Sequence, residues 1–254
     1  MNHRAVVVGL WLVLGNLVTG GAAPAAPLRV YQIGNSWTCL SQGSWDIAQS
    51  LGSANTHGYH IAWNQTLTNI WAGAHDFSTP SPLQTALPGN VWDIVELQPW
   101  YETWIDAATA GSNMVRLALQ ANPNAKILIF ACGPESSQGP YLTTWNRTDQ
   151  QNYTQQNFWK SRLNYELVVN ALRTNFPGTQ VGLVPMGHCL ARAATLLQSG
   201  TNIPGVTSVD QLLEQGGQHT STLGTYLGQL AKLVITEPCG RCWKNVQYAA
   251  NCPM

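Results

Sequence analysis

Short apolar runs alternate along the chain with longer stretches whose apolar residues recur every three or four positions. The runs predict strands over 28–33 (Leu-Arg-Val-Tyr-Gln-Ile), 59–63, 91–97, 126–131 (Lys-Ile-Leu-Ile-Phe-Ala) and 180–184. The fourth is almost wholly apolar, as in a parallel strand covered on both faces. Helical spacing marks 45–51, 102–120, 150–175, 188–197 and 222–235. The second of these helices stops before Asn122-Pro123 and the third before Pro177-Gly178. Strands alternating with helices predict a three-layer α/β/α sandwich around a mostly parallel five-stranded sheet. Functional groups of such sheets gather at the carboxyl ends of the strands. No repeat, heptad or Gly/Ser/Pro-rich linker divides the chain, so 27–254 reads as a single domain. The Asn- and Thr-rich stretch 141–153 is long for a connection and reads as a functional loop.

The first thirty residues stand outside this pattern. A short positive start, an apolar run over 5–18 and a small-residue segment over 20–26 make the three-part plan of a secretory signal. The run falls short of the roughly 20 residues that a membrane-spanning helix needs. Cleavage is expected near Ala23 to Ala26, giving a secreted or periplasmic chain with no stable membrane anchor. Charge changes the picture further. Only 12 acidic and 12 basic side chains occur in 254 residues. That 9% compares with about 25% in an ordinary soluble domain. With no net charge and no basic run, a nucleic-acid partner has no electrostatic footprint. A hydrophobic content of 44% excludes disorder.

All six cysteines, Cys39, Cys132, Cys189, Cys239, Cys242 and Cys252, follow the leader. In an exported chain an even number predicts disulfides, with a staple in the Cys-rich C-terminal tail. Cys239-Gly-Arg-Cys242 has no second pair at zinc-site spacing, and it does not open a helix after a strand as a redox motif would. No metal and no cofactor are expected.

Candidate chemistry begins at the end of the first strand, in Gly34-Asn35-Ser36-Trp37-Thr38. A serine on a strand-to-helix turn is lifted to the sheet edge, and the helix start offers free N–H groups. The same placement also suits an N-cap serine. Near the other end, Gly217-Gln218-His219-Thr220 precedes the last predicted helix, where a histidine can swing over the first strand. His188, after the fifth strand, is the rival base. His57, His60 and His75 read as surface or core-edge residues.

Three segments together carry a resemblance. They are Gly34-Asn35-Ser36-Trp37-Thr38, Trp92-Asp93-Ile94-Val95-Glu96-Leu97-Gln98-Pro99, and the stretch from Gln218 through His219 to Leu227. In this order the chain resembles the SGNH (GDSL-type) hydrolases, and most of all a secreted bacterial branch with Gly-Asn-Ser as nucleophile block. Val184-Pro185-Met186-Gly187 also matches that branch. The resemblance implies a flavodoxin-like α/β/α fold, with Ser36 as nucleophile and His219 as general base. It further implies an oxyanion hole formed by the Ser36 N–H, the Gln98 amide in place of the family's Asn, and Asn64 at the place of the family's second-block Gly. One departure stands out: the Asp that the family sets three residues before the histidine is Gly216 here. Glu214 and Asp210 are the nearest acids, and a Ser-His dyad is expected.

The substrate expectation rests on neutral amides and aromatics. Trp37 and Trp100, with Trp63, Trp71, Tyr101 and Trp104, fall near predicted strand ends. Such faces suit sugar rings, although aromatics are as often core. Three Asn-X-Thr triplets, at Asn64, Asn146 and Asn152, permit glycosylation. The chain is thus expected to be a monomeric esterase. Its substrate would be an O-acyl ester, acetyl foremost, of a small molecule or polysaccharide. A lipase or lysophospholipase and a non-catalytic carbohydrate-binding relative are the alternatives.

Overall fold

The computed structural model describes residues 27–40, 54–134, 140–149, 154, 156–213, 219 and 221–225. Six strands form the sheet: β1 (Arg29–Gly34), β2 (Thr56–Ile61), β3 (Phe77–Thr79), β4 (Ile94–Leu97), β5 (Lys126–Phe130) and β6 (Val181–Val184). Their order is β3-β2-β1-β4-β5-β6. All neighbours are parallel except β2 and β3, which are antiparallel. The expected five-stranded sheet is therefore corrected to six. The strand that the pattern hides, β3, has only three residues, all half-buried, and so shows no apolar run.

Helices follow the strands as α1 (Ser36–Leu40), α2 (Leu67–Trp71), α3 (Leu83–Gly89), α4 (Trp104–Ala121), α5 (Tyr141–Trp145), α6 (Gln156–Trp159), α7 (Arg162–Asn175) and α8 (Met186–Gln198). A 3-10 turn, Val209–Leu212, comes after them. Helix α4 packs on α2, α3 and α7, whereas α8 packs on α5 and the 3-10 turn. The core lies between sheet and helices. Val95, Leu97 and Ile127 to Ile129 are fully buried, as the apolar runs required. Each such side chain contributes about 1.5–3 kcal/mol.

Local chemistry explains two departures from the sequence pattern. The helix expected over 150–175 is broken, because Ser161 caps α7 by accepting the Asn164 N–H and so restarts the chain there. The stretch 141–153 is not all loop: α5 occupies its start, with Tyr141 and Trp145 buried. Cys39, Cys132 and Cys189 are thiols, none in a disulfide, which corrects the expectation for those three. Cys132, buried at the end of β5, instead faces the Tyr165 hydroxyl at 3.1 Å. The leader, the helix over 45–51, Cys239, Cys242, Cys252 and most of the last helix lie outside the described residues; 222–225 form a helical turn.

Candidate active site

The turn after β1 is built around a close approach. A Cβ on Gly34 would lie 2.8 Å from both Cβ and Oε1 of Gln98, so only glycine lets the Gln98 side chain cross there. Fully buried at the end of β4, Gln98 accepts the Asn35 N–H (3.0 Å) and the Thr38 hydroxyl (3.2 Å) on Oε1. Its Nε2 donates one N–H to the Pro99 carbonyl at 3.2 Å. Asn35 is equally occupied: Oδ1 accepts the Trp37 N–H (3.1 Å) and Nδ2 donates to the Gln65 carbonyl (3.3 Å). The ends of β1, β2 and β4 are thus bound to one another by two buried amides. Ser36 stands at the start of α1 on this clamp, half-buried.

His219 reaches that serine from far along the chain. Its Nε2 lies 2.6 Å from Ser36 Oγ, a short hydrogen bond in which the hydroxyl donates when Nε2 is unprotonated. The Trp37 ring lies 6.0 Å from the imidazole. His188, the rival, stands in the first turn of α8 edge-on to Trp145 at 5.1 Å. Burial, aided by the nearby Arg162 charge, pushes its imidazole down to about 4. A neutral histidine packed under a helix start is what remains. His60 is fully buried, deeper than the core edge expected of it. It joins β2 to α3, with Nδ1 accepting the Leu83 N–H and Nε2 donating to the Ala74 carbonyl.

The other expected site residues fare differently. Asn64 is exposed just past β2 with φ of 58°, in the left-handed region that favours glycine and tolerates asparagine. Asp210 is turned to Ser208, whose hydroxyl donates to its carboxylate at 3.3 Å. Glu214 and Gly216 lie outside the described residues. Trp37 is only 3% exposed and belongs to the core, so it offers no open face to a substrate. Trp100 is half-buried, packed edge-to-face on Tyr101 at 4.4 Å.

Two charged groups behind these rings were not anticipated. Lys160 is fully buried, its ammonium 4.8 Å from the Tyr101 ring, 5.2 Å from Trp100 and 5.8 Å from Trp37. Glu102 is buried as well. Its carboxylate accepts the Leu67 N–H (2.8 Å), the Thr68 hydroxyl (2.9 Å) and the Trp100 N–H (3.4 Å). Burial pushes its carboxyl up from the ordinary range, and these donors hold it back in part. In a chain with 12 acids, an acid placed directly after Trp100-Tyr101 was the available signal. Among the described residues no group of three or more His, Cys, Asp and Glu is placed to hold a metal. Also among them, no helix is long and apolar enough to cross a membrane.

No family profile matches the chain, and no curated protein matches it. Solved structures do. A DUF4886 family protein from Bacteroides uniformis superposes with a TM-score of 0.54 at 14% identity, over 82% of each chain. A chain assigned to the SGNH hydrolases, from Slackia heliotrinireducens, superposes with a TM-score of 0.50 at 18% identity, over 82% of this chain and 98% of that one. The fold is the one that these two solved chains share. Within this sheet, Ser36, Asn64 and Gln98 follow three adjacent strands, β1, β2 and β4.

Proposed function

We propose that the chain is an exported serine esterase that hydrolyses O-acyl esters, acetyl foremost, of a carbohydrate. The observation that carries this reading is the 2.6 Å contact between Ser36 Oγ and His219 Nε2, bridging 183 positions of sequence. Ser36 Oγ attacks the ester carbonyl carbon as its proton passes to His219 Nε2. The carbonyl oxygen becomes an oxyanion. Its donors are the Ser36 N–H at the start of α1, the Gln98 amide hydrogen not given to Pro99, and Asn64. The left-handed backbone of Asn64 supports its equivalence to a glycine of the second block. The imidazolium then protonates the leaving alcohol, and water attacks the acyl-serine by the reverse route. The same contact argues against a non-catalytic relative, which has no use for it.

A fluorophosphonate probe should label the parent and not Ser36→Ala, and the parent should release p-nitrophenol from p-nitrophenyl acetate. Equal release by Ser36→Ala would sink the assignment. A lipase-type reading predicts a rate that rises with acyl length; a p-nitrophenyl ester series from acetate to palmitate separates the two. Export and a monomeric state belong to the same proposal. N-terminal sequencing of secreted protein should begin after Ala23 to Ala26, and the eluted mass should be that of one chain.

A further inference from the structure

Four large apolar side chains are exposed among the described residues: Trp63 (43%), Val91 (47%), Ile105 (42%) and Leu223 (39%). Val91 precedes β4, at the amino edge of the sheet. The other three belong to the carboxyl edge, where Ser36 stands: Trp63 follows β2 by two residues, Ile105 is in the first turn of α4, and Leu223 lies four residues after His219. Scattered exposed aliphatics are ordinary. A rigidly held indole is not.

The rigidity of Trp63 has three sources. Phe77 pairs with Ile61 across β2 and β3, so the residues two before and two after Ile61 are its diagonal neighbours on one face. Accordingly the Phe77 ring packs 5.7 Å from Tyr59 and 5.4 Å from Trp63. Second, the Trp63 N–H donates to the Asp76 carboxylate, whose own residue is fixed by its N–H to the Ile61 carbonyl. Third, two residues on, the Gln65 carbonyl accepts the Asn35 amide, tying this segment to the nucleophile turn. The indole is thus fixed in relation to Ser36, with part of its surface open.

Its neighbours state what it would accept. Asn64, Gln65 and Asn69 are neutral amides; the exposed Asp76 carboxylate meets the Trp63 N–H, and the Glu102 carboxylate is buried behind them against Leu67 and Thr68. No Lys or Arg occurs between Arg29 and Arg116, which disfavours a phosphate, sulfate or uronate partner. A neutral pyranose fits: its C–H face lies on the indole and its hydroxyls meet amides. The geometry points to Trp63 as the stacking platform of a sugar subsite on the β2–β3 side of Ser36. This deepens the carbohydrate part of the proposed esterase and rests on that reading for the acyl chemistry alone.

Calorimetric titration of Ser36→Ala with acetylated xylotetraose should show binding. Adding Trp63→Ala should weaken it about two- to tenfold, the span that about 0.5–1.5 kcal/mol of aromatic contact gives. Trp63→Phe should recover part of the loss. In turnover, the ratio of kcat/KM for acetylated xylotetraose to that for p-nitrophenyl acetate should fall by a similar factor in Trp63→Ala. Unchanged binding and an unchanged ratio would overturn the platform, as would absence of oligosaccharide binding by Ser36→Ala. Should the parent hydrolyse neither ester while Trp63 still governs sugar binding, the esterase reading fails and the platform stands.

Discussion

The two flanks of Ser36 use the same kind of residue to opposite ends. Toward β4 and β5, Trp37, Trp100 and Tyr101 close around the buried ammonium of Lys160, backed by Cys132, whose Sγ lies 3.6 Å from that nitrogen. Toward β2 and β3, Trp63 rests on Phe77 and stays 43% exposed. Aromatics are abundant at both places, and only their neighbours differ. On the closed flank the rings pack on one another and on a cation arriving from the α6–α7 junction. On the open flank β3 ends the sheet, and among the described residues no further strand lies beyond it to cover the indole. An aromatic near a strand end is therefore wall or platform according to what the chain folds over it.

Breaking the centre of this arrangement should have the largest effect. Ser36→Ala and His219→Ala should each lower kcat for p-nitrophenyl acetate by on the order of a thousandfold or more, with the melting temperature nearly kept. On the closed flank, Trp37→Ala should cost about 3–5 kcal/mol of stability in urea titration, because it empties a core position. A cost below about 1 kcal/mol would show that flank to be open after all. Asn35→Ala removes the link between the flanks. It should cost about 1–3 kcal/mol by leaving the Trp37 N–H and the Gln65 carbonyl unmatched. It should also lower kcat, and Asn35→Asp, which still accepts but cannot donate to Gln65, should fall between Ala and the parent.

Beyond the closed flank, pH probes the packing of α8. His188 binds its proton with a pKa of about 4 in the folded chain, against an ordinary 6.5. Between those values the unfolded chain holds the proton and the native chain does not, so stability should fall as pH drops from about 6.5 toward 4. Burial lowers His60 in the same direction. Denaturant midpoints measured across that window should show the decline, and His188→Asn should flatten part of it. The smallest effect belongs to the open flank. Trp63→Ala should leave stability within about 0.5 kcal/mol of the parent in the same titration, as befits a surface position.

Much of this was legible in the sequence. The runs over 28–33 and 126–131 appeared as β1 and β5 within a residue or so; β5 is apolar because both of its faces are covered, whereas β1 also buries Gln32, which donates to Glu96 on β4. Ser36 and His219 stood out as candidates because a glycine turn after a strand and a glycine-rich approach to a helix are local signals. Short β3 left no such signal, and neither did the Ser161 cap that splits α6 from α7. The sequence by itself determined an α/β order, an almost uncharged surface, and a serine and a histidine each at the mouth of a helix. Only the tertiary structure decided that the two meet at 2.6 Å, that Gln98 and Asn35 clamp the turn between them, and that Trp37 is buried while Trp63 is not. Periodicity reports which face of an element is apolar, whereas contacts across 60 or more positions depend on strand order, which no local pattern encodes.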